Sequence, residues 1–255
     1  MPGVVDDAPV ALVTGAAQGL GHAIATRLAH DGHRVVVNDI VASDPLTELA
    51  DRIGGLAVAA DVADPEQVAA LVAEVSERLG SIDVLVANHA AMAMAPFLDM
   101  DPVTWWHMIE VNLSGTFRLV QAVLPGMRAS GGGRIVMIAS EAGVVGMRNA
   151  TAYSASKGGL IALTKSLARE LAPEGIVTNA IAPSFVDTPQ LQVDAADAGV
   201  SIEEIRSRSA ALVPMGRIAR TDEIAAVAAF LAGPGAGSLV GQVLQPNGGT
   251  TRTRA

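Results

Sequence analysis

Short apolar runs alternate along the chain with longer stretches in which apolar residues recur every three or four positions. The short runs are rich in valine and isoleucine and are apolar on both faces, which is typical of strands buried in a parallel sheet. They predict seven strands, at VALVTG, RVVVND, LAVAAD, IDVLVAN, GRIVMIAS, IVTNAIAP and GQVLQP.

Helical periodicity fills most of the intervals between these runs. In the stretch that begins at Pro65, the apolar positions that share one helix face are Val68, Leu71, Val72, Val75 and Leu79. Asp64 and Asp101 each precede a proline, so both are predicted to be N-caps with proline at the first helical position.

Strands that each lead into a helix indicate an α/β fold. We predict a single doubly wound Rossmann-type domain over residues 1–255, with a central parallel seven-stranded sheet and helices on both faces. Residues 188–214 depart from the short-loop rhythm after the sixth strand. This insertion is predicted to be a substrate lid, and the alternative is a surface excursion with no role in binding.

Composition narrows the function classes. The chain has 26 acidic and 17 basic residues, a net charge of -9 and no basic block, so no nucleic-acid partner is expected. It has no cysteine, which excludes disulfides, thiolate metal sites and a cysteine nucleophile, and no metal site is predicted. No apolar run approaches membrane-spanning length, and the acidic start MPGVVDDAPV is unlike a signal peptide. We therefore expect a cytoplasmic protein with no membrane partner.

The first strand leads directly into a glycine-rich turn, TGAAQGLG, that opens a helix. Gly15, Gly19 and Gly21 allow a tight turn and close approach of the backbone, and the helix start offers free N–H groups to a diphosphate. Gln18 and Leu20 lie within the same turn. The strand-turn-helix context predicts a dinucleotide site.

Asp39 ends the second strand, eighteen residues after Gly21. A carboxylate there can hold both hydroxyls of an adenosine ribose and would repel a 2′-phosphate, so NAD is predicted over NADP. The alternative for Asp39 is a solvated strand end. Asp61, followed by Val62, is a candidate adenine contact, although an N-cap role explains Asp61 equally well.

The only tyrosine, Tyr153, lies four residues before Lys157, one of two lysines in the chain. Residues at this spacing share a helix face, and we expect the ammonium to lower the pKa of the phenol toward that of a useful general base. Ser140 ends the fifth strand, where its hydroxyl can meet the phenol. Asn112 is predicted to lie within a helix, with a structural role as the alternative.

Together these motifs resemble the classical branch of the short-chain dehydrogenase/reductase family, from Val10 to Gly249. The matches are TGAAQGLG, Asn112, Ser140, YSASK and NAIAPSFVDT. The resemblance implies Tyr153 as acid/base, Ser140 bonded to the substrate oxygen, Lys157 on the tyrosine and the nicotinamide ribose, and Asn112 in a water-linked proton relay.

The resemblance also implies a cofactor site. Asn88 is expected beside the ribose, and the Val186 backbone and Thr188 hydroxyl on the carboxamide. The full predicted cofactor set is Gly15, Gln18, Gly19, Leu20, Gly21, Asp39, Asp61, Val62, Asn88, Tyr153, Lys157, Pro183, Val186 and Thr188.

The sequence departs from the family pattern after the fourth strand, after Pro183 and at Asn247, where the family usually has aspartate. His89 stands in ANHA where the family has N-N-A-G, and it is either a substrate contact, an additional proton carrier, or a histidine packed under the following loop. Ser184 replaces the usual glycine after Pro183, which indicates a backbone conformation that does not require glycine.

By family analogy, the substrate pocket is predicted to include His89, Met92, Met94, Glu141, Ala142 and Val145. Methionines adapt to irregular shapes, which favours a mid-sized apolar secondary alcohol or ketone, although both methionines have a core role as the alternative. Glu141 is expected to face away from the ketone.

The sequence therefore predicts an NAD-dependent alcohol dehydrogenase or carbonyl reductase that acts on small molecules. One alternative is a 3-oxoacyl reductase acting on an acyl carrier protein or CoA thioester, against which Asp39 and the negative charge argue. Another is a non-catalytic, dinucleotide-binding redox sensor, which would not need Tyr153 and Lys157 together. The resemblance implies a homotetramer.

Overall fold

The computed structural model describes residues 8–251, so the acidic N-terminal stretch discussed above lies mostly outside the described residues. Seven strands form one parallel sheet in the order β3-β2-β1-β4-β5-β6-β7. This confirms the predicted fold class. The strands are β1 Val10–Thr14, β2 Arg34–Asp39, β3 Leu56–Ala59, β4 Val84–Ala87, β5 Gly133–Ile138, β6 Ile176–Ile181 and β7 Val243–Leu244.

Helices connect the strands and cover both faces of the sheet. They are α1 Gly19–His30, α2 Asp44–Ile53, α3 Pro65–Leu79, α4 Pro102–Ile109, α5 Thr116–Ala129, α6 Ala142–Val145, α7 Thr151–Leu171, α8 Gln190–Ala198, α9 Ile202–Ala211 and α10 Thr221–Ala232.

Two hydrophobic layers explain why the strands are apolar throughout. Ala11 and Val13 of β1 pack in the layer that holds α1, α2 and α10. Val10 and Leu12 pack in the layer that holds α3, α5 and α7. Because successive side chains of a strand point to opposite faces, a sheet covered on both sides needs apolar residues at every position.

The order of the strands reverses at β1. The chain moves outward from β1 through β2 to β3, then returns to place β4 on the other side of β1. The connections that follow β1 and β4 therefore run in opposite directions and leave a crevice at the carboxyl ends of these strands. In open parallel sheets, ligands bind in this crevice.

A wide helical turn separates α4 from α5. Residues Glu110–Gly115 form a π-helical segment, so Asn112 lies in a local expansion of the predicted helix. A Cβ atom at Gly115 would lie 2.9 Å from Val62 Cγ2, so the segment packs closely on the loop after β3. Expansions of this type often occur at functional sites.

The 188–214 insertion contains two helices, α8 and α9, and no strand. Gly199, in the left-handed region at φ 64°, ends α8, and Ser201 Oγ caps α9 by accepting a hydrogen bond from Glu204 N at 3.2 Å. Arg206 pairs with Asp187 at 2.9 Å, which ties α9 to the segment that leaves β6. Its role as a lid remains a prediction.

Among the described helices, none is both long and apolar enough to cross a membrane.

Both predicted N-caps are confirmed. Asp64 Oδ1 accepts hydrogen bonds from Glu66 N at 2.8 Å and Gln67 N at 3.2 Å, and Asp101 Oδ2 accepts one from Thr104 N at 2.9 Å. Each carboxylate satisfies N–H groups that the first helical turn leaves without partners.

We expect Asp64→Ala to lower the free energy of unfolding by about 1 kcal/mol, because the first turn of α3 loses its capping acceptor. Urea denaturation measures the change. Ser43→Ala is the matched control, since Ser43 is the N-cap of α2 but makes no side-chain capping bond. Equal losses in the two variants would contradict the capping role of Asp64.

Candidate active site

The turn after β1 is shaped by glycines at close contacts. Gly15 and Gly19 adopt left-handed φ values of 61° and 59°. A Cβ atom at Gly21 would lie 2.2 Å from Gly15 O and 2.6 Å from Asn88 Nδ2, so no larger residue fits there. Gln18, the N-cap of α1, makes no side-chain capping bond, so no capping side chain covers the helix start. This is a suitable cradle for a diphosphate.

Asn88 holds this turn against the end of β4. Its Nδ2 donates to Thr14 O and to Gly15 O, both at 3.0 Å. The amide nitrogen is therefore engaged with the backbone, and the predicted ribose contact of Asn88, which lines the cavity, stays a prediction.

Asp39 lies at the end of the crevice where the sequence predicts the adenosine. Its Oδ2 accepts from Ala17 N at 3.0 Å and its Oδ1 from Ile40 N at 2.9 Å, which fixes the carboxylate beside the glycine turn. No lysine or arginine is among the described residues that line this end of the cavity. Asp61 and Val62 line it as well. Asp61 Oδ1 accepts from Ala63 N at 2.8 Å in the turn before α3, whose N-cap is Asp64, so the N-cap alternative for Asp61 is wrong.

Ser140 and Tyr153 meet above the end of β5. Their side chains share a hydrogen bond, and Ser140 Oγ also accepts from Ala142 N at 3.1 Å. Helix α7 begins at Thr151, so Tyr153 lies in its first turn and lines the cavity. The phenol is thus available to the cavity and is held in place by the serine.

Lys157 lies one turn further along α7 and is 2% exposed. Its Nζ donates to Ile138 O at 2.7 Å and lies 5.6 Å from the centroid of the Tyr153 ring. Burial lowers the pKa of Lys157 to about 8, because the charged form loses its hydration.

The expected lowering of the tyrosine pKa is wrong for this structure. Burial raises the pKa of Tyr153, the hydrogen bond with Ser140 opposes that rise, and the negative charge of Asp194 adds to it. Desolvation of the phenolate is the largest of these effects. Lys157 is committed to the Ile138 carbonyl and sits over the ring rather than bonded to the phenol oxygen.

Asn112 lies behind the cavity rather than on its wall. Its Oδ1 accepts from Ala91 N at 2.7 Å, and its Nδ2 donates to Ala91 O and Ser156 Oγ, both at 3.0 Å. Ser156 Oγ in turn donates to Tyr153 O at 2.8 Å. The side chain therefore joins the loop after β4 to the tyrosine helix, as the structural alternative anticipated, and the proton relay stays a prediction.

His89 is buried between two threonines. Its Nδ1 lies 2.7 Å from Thr14 Oγ1 and its Nε2 lies 3.3 Å from Thr116 Oγ1. The Thr116 hydroxyl donates to Asn112 O at 2.9 Å, so it accepts a hydrogen bond from a protonated Nε2. Burial and the nearby Lys157 charge lower the pKa of His89 to about 3. This arrangement favours the packed histidine over the proton carrier.

The cavity at this sheet edge has a volume of about 960 Å³. Of the predicted site residues, Gly21 and Asn112 are set back from its wall. The predicted residues that line it are Gly15, Gln18, Gly19, Leu20, Asp39, Asp61, Val62, Asn88, His89, Met92, Met94, Ser140, Glu141, Ala142, Val145, Tyr153, Lys157, Pro183, Val186 and Thr188.

Glu141 is held by the end of the described chain. Its Oε1 accepts hydrogen bonds from the Thr250 and Thr251 hydroxyls, which tie the carboxylate to the segment after β7, and its predicted orientation away from the ketone stays a prediction. The φ angle of Ser184 is not positive, which agrees with the expectation that this position does not require glycine. Ser184 lines the cavity, and its buried Oγ has no hydrogen-bond partner among the described residues.

Sequence reasoning missed several residues of the cavity wall. They lie in loops and on helices whose approach to the site depends on tertiary packing, and the signal available for the lid residues was their place in the 188–214 insertion. The missed residues include His107, Met147, Arg148, Leu191, Asp194 and Leu212.

The chain belongs to the short-chain dehydrogenase/reductase family. A family model described as enoyl-(acyl carrier protein) reductase matches residues 15–251. The chain is 41% identical to cis-4-hydroxycyclohexanecarboxylate dehydrogenase of Sinomonas cyclohexanicum, over 95% of this chain and 96% of that protein. It is 36% identical to the 3-oxoacyl-acyl-carrier-protein reductase FabG of Vibrio cholerae, over 94% of this chain and 96% of that protein.

A solved structure agrees with this assignment. A variant of actinorhodin polyketide ketoreductase, crystallised with NADPH, superposes with a TM-score of 0.93 at 38% identity, over 98% of this chain and 100% of that chain. The seven-stranded sheet and the cavity at its carboxyl edge therefore belong to an oxidoreductase fold that binds a nicotinamide dinucleotide in that relative.

We expect the free energy of unfolding to fall by about 3 kcal/mol more between pH 6.5 and pH 4 in the native protein than in His89→Ala. The folded state keeps His89 neutral down to about pH 3, whereas the unfolded state binds a proton below about 6.5, so acid favours unfolding. Urea denaturation at each pH measures this. His30→Ala, at an exposed histidine, is the control, and equal pH slopes in all three proteins would contradict the buried neutral state.

Proposed function

We propose that the protein is an NAD(H)-dependent oxidoreductase that interconverts a secondary alcohol and a ketone, with Tyr153 as the general acid/base. The observation that carries the proposal is the Tyr153 phenol held by Ser140 at the cavity, with Lys157 buried one turn away. Membership of an oxidoreductase family supports the reaction class.

The proton chemistry follows from this geometry. In ketone reduction, the Tyr153 O–H bond would break as the alcohol O–H bond forms. A nicotinamide dinucleotide held in the cavity would supply the hydride that the carbonyl carbon takes up. Ser140 orients the substrate oxygen toward the phenol. Because the pKa of Tyr153 is raised above its usual value of 10, the phenol is fully protonated at neutral pH and serves as the acid for reduction.

We expect Tyr153→Phe to lower kcat by about 100-fold to 10,000-fold, because it removes the acid without removing the ring. Steady-state NADH oxidation with a ketone measures the loss, and a fluorescence titration should show NADH binding within a few-fold of the native value. Lys165→Ala, on the exposed face of the same helix, is the control for helix α7. Full activity in Tyr153→Phe would remove the tyrosine from the mechanism.

The cofactor assignment to NAD rests on Asp39. Its fixed carboxylate faces the cavity at the end of β2, and no basic residue among the described lining residues at that end offsets its charge. A 2′-phosphate placed there would meet like charge at short range. The buried Ser184 hydroxyl, which has no hydrogen-bond partner among residues 8–251, would supply a polar contact for a carboxamide in the same cavity.

We expect the double change Asp39→Ala and Ile40→Arg to lower the kcat/KM ratio of NAD to NADP by tenfold or more. The change removes the carboxylate and places a cation at an exposed position of the same cavity wall. Asp51→Lys, at an exposed carboxylate on α2, makes the same change of +2 in net charge and is the control. Native kinetics that favour NADP would refute the assignment.

The second candidate function is reduction of a 3-oxoacyl thioester. Relatives named as 3-oxoacyl reductases and ketoacyl reductases support it. Asp39 argues against the NADP that such reductases more often use, and the net charge of -9 argues against docking of an acidic carrier protein. Assays with acetoacetyl-CoA and with cyclic ketones, each with NADH and NADPH, separate the two functions.

A compact, mostly apolar alcohol suits the substrate end of the cavity. Met92, Met94, Val145, Met147 and Leu212 line it. Helix α8 of the 188–214 insertion lines the same space through Gln190, Leu191 and Asp194, as does Leu212 after α9, which supports the role of the insertion as a lid. The relative named for a hydroxycyclohexanecarboxylate makes cyclic secondary alcohols the first substrates to test.

The proposed assembly is a cytoplasmic homotetramer. Support comes from apolar side chains left exposed near and on α4 and α5, among them Leu98 at 93%, Val103 at 76% and Trp106 at 64% exposure. Light scattering tests the tetramer. The non-catalytic sensor would gain support from tight NADH binding without turnover of any carbonyl or alcohol in a broad panel.

A further inference from the structure

The inner face of the lid helix α8 carries a carboxylate. Leu191 and Ala195 are buried against the rest of the protein, and Asp194, between them on the same face, is half-buried. Asp194 and Tyr153 line the same cavity. Asp197, three residues later, is exposed and does not line it.

The charge of Asp194 has no cation to neutralise it among residues 8–251. Gln190 Nε2 donates to its Oδ1 at 3.0 Å, and the nearby lid arginine, Arg206, is paired with Asp187. The other carboxylate at this end of the cavity, Glu141, is occupied by two threonine hydroxyls. These bonds leave Asp194 Oδ2 and Glu141 Oε2 without a partner among residues 8–251. Of the two carboxylates, Asp194 is the one that belongs to the 188–214 insertion and acts on the charge of the phenol.

This carboxylate is close enough to the reaction centre to influence it. Its negative charge contributes to the raised pKa of Tyr153, after the larger contribution of burial. A group with an electrostatic effect on the phenol acts at least as strongly on a substrate that lies between them.

Side chains that can carry positive charge also line the cavity, but their positions give them less influence on a substituent of the substrate. Arg148 and His107 are exposed at the cavity wall, and Lys157 is buried and bonded to Ile138 O. Water screens an exposed cation more strongly than a half-buried anion. Lys157 lies beside the Tyr153 ring, at the reacting end that every substrate shares, so it does not distinguish substrates by a substituent at the lid end. Asp194 should therefore decide between substrates that differ in charge at the lid end.

We propose that Asp194 is a specificity-determining residue, which accepts a hydrogen bond from a donor substituent of the substrate, a second hydroxyl or an ammonium group, and rejects a carboxylate at that position. The inference rests on the proposed function for the identity of the substrate as a secondary alcohol. On this proposal, the lid selects among secondary alcohols by the charge of a substituent.

The test measures binding and turnover of one ring series. Cyclohexanol, 1,4-cyclohexanediol, 4-aminocyclohexanol and 4-hydroxycyclohexanecarboxylate are titrated calorimetrically into the enzyme saturated with NADH, and each is assayed for oxidation with NAD. The proteins are native, Asp194→Asn and Asp197→Asn. Asp194→Asn keeps the shape and the Oδ1 acceptor for Gln190, and Asp197→Asn makes the same charge change on the outer face of α8.

The native protein should bind the aminoalcohol and the diol more tightly than the carboxylate. In Asp194→Asn, the ratio of Kd values for carboxylate and aminoalcohol should fall by about tenfold or more, because a hydrogen bond to a charged acceptor is replaced by a neutral one. Asp197→Asn should leave the ratio unchanged.

Two results would overturn the inference: tighter native binding of the carboxylate, or equal Kd ratios in Asp194→Asn and Asp197→Asn. The calorimetric ratios do not depend on turnover. Charge discrimination in binding without oxidation or reduction of any alcohol or ketone would instead refute the proposed function and leave the binding role of Asp194 intact.

Discussion

Close contact between the glycine turn after β1 and the end of β4 organises the whole site. Asn88 bonds to two carbonyls of the turn, and Gly21 packs so tightly on Gly15 and Asn88 that a single added carbon would collide. Since β1 and β4 are neighbours at the point where the strand order reverses, this contact closes the base of the crevice. The start of α1 continues directly from this turn, and the Asp39 carboxylate is bonded to Ala17 N within it.

The sequence alone predicted the elements that follow from local patterns of residues. Two-sided apolar runs predicted all seven strands, proline after aspartate predicted the starts of α3 and α4, and the spacing of Tyr153 and Lys157 predicted a shared helix face. Each of these depends on neighbours within a few residues. Side-chain contacts across the fold depend on packing instead, which is why the two threonine partners of His89 and the approach of Asp194 were not predictable.

The wrong expectation for the tyrosine pKa has the same origin. Spacing along a helix indicates that two side chains are neighbours, but it does not indicate where their polar atoms are bonded or how much water surrounds them. Here Lys157 Nζ is bonded to a strand carbonyl, and burial acts on both groups in the direction of their neutral forms. Desolvation therefore outweighs a favourable charge pair that sequence reasoning had placed first.

Proton transfer and substrate selection depend on different elements of the cavity wall. Ser140, Tyr153 and Lys157 are held by strand ends and by the first turns of one long helix, so their positions are set by the sheet. Asp194 belongs to a helix of the 188–214 insertion, which is tied to its base by the Arg206 and Asp187 pair. Substitutions in the insertion can therefore change which substituents are accepted without moving the phenol that transfers the proton. A fold that fixes its chemistry on the sheet edge and its selectivity on an added helical segment allows the two to vary independently.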